Sequence, residues 1–290
     1  MLRMRFASQP PCLRRRPGTD LHRERGYSPV RIATWNVNSI RVRLETVLEW
    51  MARARPDVLC LQEIKTADAD FPASAFSQVG YRAAVSGEKT YNGVAILSRH
   101  DLGSILAGFP DYAAAGQRRL IAATVGGLRI VNAYIPNGFQ PDSPKFAYKL
   151  EFIRELRRYL EHLHTPAEPL VLMGDFNIAP EARDVYDAQA MEGQIGFHPA
   201  ERAALSELKD WGLEDVFRRH HDAAGLFSWW DYRAAAYRRN MGLRIDHIWA
   251  TPPAAKLSTD CAMDREMRAL PRPSDHIPLW ATFAVASLSR

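Results

Sequence analysis

The chain has no apolar run approaching the roughly 18 residues that a membrane-crossing helix needs, so a membrane-spanning protein is not expected. Cysteine is scarce: Cys12, Cys60 and Cys261 are scattered and odd in number, with no CxxC pair and no Cys/His cluster. That pattern indicates neither a disulfide framework nor a zinc site, and a reduced, cytoplasmic compartment fits best. The start lacks the roughly 7–15-residue apolar core of a secretory signal, so export is not expected either. The body also lacks net charge. Residues 1–29 hold seven arginines against Asp20 and Glu24, which accounts for the whole net charge of +5, and residues 30–290 balance 31 basic against 31 acidic groups. Net charge therefore neither requires nor excludes a nucleic-acid partner, because a basic rim around an acidic metal site cancels in the sum.

What is present is an ordinary globular composition, with 47% hydrophobic and 24% charged residues over 290 positions. The Arg-rich, Pro-punctuated stretch 1–29 has no apolar periodicity and is expected to be disordered. It reads as a solvated tail, a product of start-site choice, or a DNA-tethering arm. From Val30 onward no linker-like shift divides the chain, and residues 30–290 read as one catalytic domain. Strand-length apolar runs fall at Arg31–Val37, Val58–Leu61, Gly93–Leu97, Leu120–Val125, Leu128–Ile135, Leu170–Met173, Arg244–Ala250 and Ile277–Ala284. Helical stripes appear in Leu44, Val47, Leu48 and Met51, and in Phe146, Leu150, Ile153, Leu156, Leu160 and Leu163. A third helix is expected from Pro199 to Trp211, with Pro in its first turn.

The strands end in chemistry. IATWNVN closes on Asn36 and Asn38, and DVLCLQE on Glu63. IVNAYIPNG carries Tyr134, LVLMGDFN closes on Asp175 and Asn177, LRIDHIWA holds Asp246, and PSDHIPLW opens on Asp275 and His276. A carboxylate beside a core strand is costly unless paired or metal-bound. One such residue is more often a turn or cap, whereas six together point to strand ends converging on one polar site. Hard divalent cations take oxygen ligands. Glu63 is the first candidate, Asn36 a supporting one through its carbonyl oxygen, and Asp275 a possible contributor. In Asp175-Phe176-Asn177 alternation puts both polar side chains on one face, where a carboxylate can deprotonate water while an amide meets a phosphoryl oxygen. A carboxylate such as Asp246 beside His276 would fix its tautomer and favour its cation, which suits charge developing on phosphate. Alone, each pair is as readily structural.

These residues lie in segments that together resemble bacterial exonuclease III, in the abasic-site branch of the endonuclease/exonuclease/phosphatase superfamily. TWNVNSIR, PDVLCLQEIK, YNGVAILS, QRRLI, NAYIPNG, LVLMGDFNIAP, FHPAER, WGLEDVFR, FSWWDYR, GLRIDHIWA and PSDHIPLWATF occur in family order across residues 30–285. The resemblance implies a four-layer α/β sandwich, two packed mixed β-sheets flanked by helices (DNase I-like). It implies Mg²⁺, with Mn²⁺ an alternative, held by Glu63 beside Asn36 with Asp275 at or near the ion, and Lys65 supporting from behind. Tyr134 and His276 would contact the phosphate, Asp175 would activate water, Asn177 would stabilise the transition state, and Asp246 would orient His276. Trp229, Leu243 and Ile245 would wall a small apolar pocket that receives a flipped base-free sugar and excludes a nucleotide by size. The implied partner is double-stranded DNA with abasic sites or blocked 3′ ends, met by a monomer. The activity would be incision 5′ to the abasic site, with 3′→5′ exonuclease and 3′-end cleaning. Asn38 stands where some members carry Asp, so one negative charge is absent there. A sibling phosphoesterase and a non-catalytic nucleic-acid-binding regulator remain the alternatives.

Overall fold

The computed structural model describes residues 27–110 and 116–286, so the expected disorder of the first 26 residues lies outside the described chain. Fourteen strands and seven α-helices are described. The strands are β1 (Tyr27–Asn36), β2 (Val58–Gln62), β3 (Arg82–Ser86), β4 (Val94–Ser98), β5 (Gly103–Ala107), β6 (Leu120–Val125) and β7 (Leu128–Tyr134). They continue as β8 (Leu170–Asp175), β9 (Glu214–Asp215), β10 (Trp229–Trp230), β11 (Gly242–Leu243), β12 (Asp246–Ala250), β13 (Ser258–Met263) and β14 (Leu279–Ala286). The helices are α1 (Ile40–Ala54), α2 (Ala73–Gln78), α3 (Pro144–Leu163), α4 (Ala188–Met191), α5 (Pro199–Lys209), α6 (Val216–His220) and α7 (Pro252–Ala255). β1 starts ahead of the expected boundary at Val30, because Tyr27, Ser28 and Pro29 pair with Ala286, Val285 and Ala284.

Two six-stranded sheets form, in the orders β13-β14-β1-β2-β4-β3 and β5-β6-β7-β8-β12-β9. Each is mixed: β1–β2 and β7–β8 run parallel while their other neighbours run antiparallel. Alternation then sorts the side chains into layers. Ile32, Cys60 and Ile96 of the first sheet meet Ile130, Val171 and Ile248 of the second in a shared core. From the opposite face of the first sheet, Ala33, Trp35 and Leu61 pack on Val47, Trp50 and Met51 of α1. From the opposite face of the second, Val131, Leu170 and Leu172 pack on Phe152 and Leu156 of α3 and Leu205 of α5. The expected four-layer α/β sandwich is the observed architecture.

The helix starts follow local chemistry. Ser143 caps α3 by accepting from the Phe146 N–H at 3.2 Å, with Pro144 in the first turn. The third expected helix stops at Lys209 rather than Trp211. The buried face of α3 departs from the expected stripe: Leu163 is 46% exposed, Leu150 is half-buried, and Lys149, Phe152 and Tyr159 are buried.

Candidate active site

The register of the second sheet lines up three functional side chains, with Tyr134 opposite Asp175 and Asp175 opposite Asp246. Gly174 permits this. A Cβ there would lie 1.9 Å from the Ala133 carbonyl oxygen, and its φ of +142° is one that glycine tolerates. The first sheet ends alongside. Asn36 closes β1, Glu63 follows β2, and Asp275 and His276 precede β14. Asn36 links the two sheets, its amide nitrogen donating to Glu63 Oε1 at 2.9 Å and to Asp175 Oδ2 at 2.8 Å. Four residues here, Asn38, Glu63, Lys65 and Asn177, hold φ between 45° and 52°. Left-handed backbone is costly for Glu63 and Lys65 and less so for the two asparagines.

Asp246 and His276 form a buried pair, Oδ2 to Nδ1 at 2.8 Å, while Asp175 Oδ2 lies 3.7 Å from His276 Nε2. Burial works against a charged ring, yet Asp246 and Asp175 outweigh it and push the His276 pKa well above its ordinary value. Asp175 moves up as well, chiefly because it is buried, with Asp246 and Glu63 adding to the effect against the pull of His276. Its oxygens accept from the Asn177 backbone N–H at 2.9 Å and the Asn177 amide at 3.2 Å. Burial would also raise Glu63, but Lys65, 2.8 Å away, and the Asn36 amide hold it below the usual carboxylate range. Burial and the nearby Glu63 charge keep Tyr134 a neutral phenol well above its ordinary value.

A cavity of about 850 Å³ opens over these groups. Glu63, Tyr134, Asn177, Asp275 and His276 line it together with Trp229, Leu243 and Ile245. Asn36, Asp175 and Asp246 lie below that lining, at 0%, 1% and 0% exposure. The walls come from β10 and β11, where Trp229 pairs with Leu243 and bridges His276. Phe197, Val185 and Ala179 back Leu243 and Ile245.

The hydrogen bonding adds detail to these expectations. Asn36 does not offer its carbonyl oxygen to the site, because that oxygen accepts the Asn38 N–H at 2.9 Å and the amide nitrogen turns inward. Asp275 is held by its neighbours, Oδ2 accepting from the Trp229 indole and Oδ1 from the Asn38 amide, each at 3.0 Å, and both oxygens keep a lone pair for a cation. Asn38 brings no charge and is held by hydrogen bonds on both ends of its amide. It donates to Asp275 and accepts from Lys65 Nζ at 2.6 Å, whereas an aspartate would pair with Lys65 but repel Asp275. The cavity is also too large to reject a nucleotide by volume, so any selection on size belongs to its apolar corner at Trp229, Leu243 and Ile245.

The donor set suits a hard divalent cation. Glu63, Asp175, Asp246 and Asp275 face only Lys65 and His276 as cationic partners in this cluster, and the buried Asp246 Oδ1 has no hydrogen-bond partner. Among the described residues, Asp175, Asp246 and His276 group potential ligand atoms within 4.8 Å of one another. A protonated imidazole cannot ligate, however, so this trio is better suited to proton and phosphate chemistry. Glu63, open to the cavity, is the stronger candidate.

Several contributors escaped the sequence reading. Gln62 donates to Asn132 at 2.7 Å and Thr34 at 2.8 Å, and Asn132 donates to the Leu61 and Ala95 carbonyls at 3.0 Å, which ties the sheets together behind Glu63. Arg244 is fully buried, bonded to Asp184 at 2.6 Å and Asp215 at 2.8 Å, and it anchors the β11–β12 connection. Polar side chains at apolar-run positions were the available signal.

A buried carboxylate–imidazolium pair, a second carboxylate beside an amide, and a further carboxylate at a cavity mouth are the groups that a phosphodiester hydrolase needs. The comparisons agree. The model of the Endonuclease/Exonuclease/phosphatase family matches residues 33–276. Exodeoxyribonuclease III of Haemophilus influenzae is 37% identical over 269 residues, covering 88% of this chain and all of that protein. Among solved structures, the 3′ phosphatase NExo from Neisseria bound to a product DNA hairpin superposes with a TM-score of 0.84 at 44% identity, covering 88% of this chain and 99% of that one. An AP endonuclease from Archaeoglobus fulgidus gives 0.85 at 39% identity, covering 88% and 100%. The chain belongs to the endonuclease/exonuclease/phosphatase family.

Proposed function

We propose that the protein is a Mg²⁺-dependent DNA-repair nuclease, with Mn²⁺ as an alternative ion, that hydrolyses the phosphodiester 5′ to an abasic site and cleans 3′ ends of duplex DNA. The observation that carries this reading is the meeting of the Asp246–His276 pair, Asp175 and Glu63 beneath one cavity with an apolar corner. Glu63 would hold the ion, with Asp275 near it and Asn36 and Lys65 orienting Glu63. When bound, the ion polarises the phosphoryl group and offsets its charge.

The chain's own groups do the rest. Asp175, raised toward neutrality by burial, takes a proton from the attacking water, as a general base should. The water oxygen bonds to phosphorus as the P–O3′ bond breaks, and the departing O3′ takes up a proton to leave a 3′-hydroxyl and a 5′-deoxyribose phosphate. His276, held cationic by Asp246, and the Asn177 amide meet the phosphoryl oxygens as charge builds on them. Tyr134 donates its phenolic hydrogen to the phosphate. Trp229, Leu243 and Ile245 receive the base-free sugar.

The names of the relatives support a DNA substrate, since they include an AP endonuclease and a 3′ phosphatase bound to a DNA hairpin. Action as a monomer in the cytoplasm belongs to the same proposal, with Cys60 and Cys261 present as free thiols. Among the described residues, no helix is long and apolar enough to cross a membrane. Turnover of a duplex carrying a tetrahydrofuran abasic analogue, with and without EDTA, tests the reading. Incision 5′ to the analogue that EDTA abolishes is expected, and binding without turnover would overturn it.

A further inference from the structure

Lys149 and Glu201 are both fully buried and bonded to each other, one from α3 and one from the first turn of α5. The Lys149 ammonium has three N–H groups and three acceptors: the Asn137 carbonyl at 3.1 Å, the Asn177 carbonyl at 2.8 Å and the Glu201 carboxylate. Those two carbonyls belong to different loops, one following β7 and one following β8. Their side chains also meet, the Asn137 amide donating to Asn177 Oδ1 at 3.1 Å, and both residues line the catalytic cavity. Asn177 sits at a φ of 52°, in the left-handed region that asparagine tolerates better than most side chains. The first loop drapes over the lysine stem, where a Cβ on Gly138 would lie 3.0 Å from Lys149 Cδ. Glu201 is itself fixed, accepting the His198 N–H at 2.9 Å.

Stability does not account for this arrangement, since an apolar pair of similar volume generally serves a core as well as or better than a buried ion pair. What an apolar pair lacks is donors for two loop carbonyls. We infer that Lys149 is a positioning residue for the Asn137–Asn177 pair, its ammonium tying the two loops together so that the Asn177 amide stays seated against Asp175 and the Ile135 carbonyl beside the cavity. Glu201 supplies the compensating charge. The inference rests on the proposed hydrolysis but concerns a residue that touches neither substrate nor ion.

The test compares wild type, Lys149→Met/Glu201→Leu and Leu160→Ala on the tetrahydrofuran duplex, with kcat, KM and Tm measured for each. Leu160 is buried on the same helix, 11 residues from Lys149 and thus roughly 16 Å along it, and serves as a packing control. The double variant is expected to melt near wild type and to lose about 10- to 100-fold in kcat with KM little changed, the scale of a slightly misplaced catalytic group. Leu160→Ala is expected to melt early yet keep its kcat in the cold. If the double variant melts early, Lys149→Met alone is read against Leu160→Ala at the same low temperature. Undiminished kcat in the lysine variants, or losses that only track Tm in all three, overturns the positioning role. An inactive wild type overturns the nuclease reading along with it.

Discussion

His247 gives the fold an acid sensitivity whose size follows from its surroundings. The ring is fully buried, its Nε2 lies 2.8 Å from the Ile178 carbonyl, and its Nδ1 lies 3.0 Å from Arg244 Nη1. Because Arg244 can only donate, Nδ1 must accept and Nε2 must carry the hydrogen, so the ring is held neutral. Burial, reinforced by the Arg244 charge, pushes its pKa down to about 4 from an ordinary 6.5. The folded-state value is therefore below the unfolded one. The contribution to stability is complete above pH 6.5 and is lost as pH falls from there toward 4, because the unfolded chain takes a proton that the folded chain refuses. At about 1.4 kcal/mol per pKa unit, the loss between pH 7.5 and 4.5 is roughly 2–3 kcal/mol. Urea denaturation at those two pH values measures it, with His247→Gln as the reference. Gln keeps a donor and an acceptor but does not titrate. The variant is expected to be less stable at pH 7.5, yet to lose about 2–3 kcal/mol less on acidification. Equal acid losses in both proteins would refute this account of His247.

Asp175→Asn is expected to lower turnover of the abasic-analogue duplex by about 10²–10⁴, with duplex affinity measured by anisotropy nearly unchanged. Near-normal turnover would remove Asp175 from the role of base. Trp229→Ala should damage abasic incision more than 3′-phosphate removal, measured on matched duplexes, because only the first needs the apolar corner. Equal losses would make Trp229 structural. Asn38→Asp keeps a partner for Lys65 but exchanges the hydrogen bond to Asp275 for a carboxylate facing it. Thermal melts should show a lower Tm in EDTA and a larger rise on adding Mg²⁺ than wild type, and an unchanged pair of melts would contradict the bridging role.

The inner strands were legible because both their faces are buried. β2, β4 and β8 are buried at every position and read as continuous apolar runs. β3, β5, β9 and β13 escaped detection, and all four lie at sheet edges, where one side meets no neighbouring strand and polar residues such as Arg82, Ser104 and Asp260 are tolerated. The site residues were legible as a set because polar groups at the ends of apolar runs are costly without a purpose. Their hydrogen bonding was not, since spacing cannot tell which end of the Asn36 amide faces Glu63, nor that Asp275 serves Trp229. Lys149 was missed for a related reason. Helical periodicity assigns a lysine to solvent, and only the long-range meeting with Glu201 and two loop carbonyls makes its burial tenable.

The central claim is that distant strand ends gather around one cation and one phosphate. Anomalous scattering from crystals grown with Mn²⁺ and an incised abasic duplex tests it most directly. The expected result is manganese density bonded to Glu63, with the product phosphate reached by Tyr134, Asn177 and His276. Manganese bonded to His276, or a phosphate seated away from these three side chains, would contradict the account.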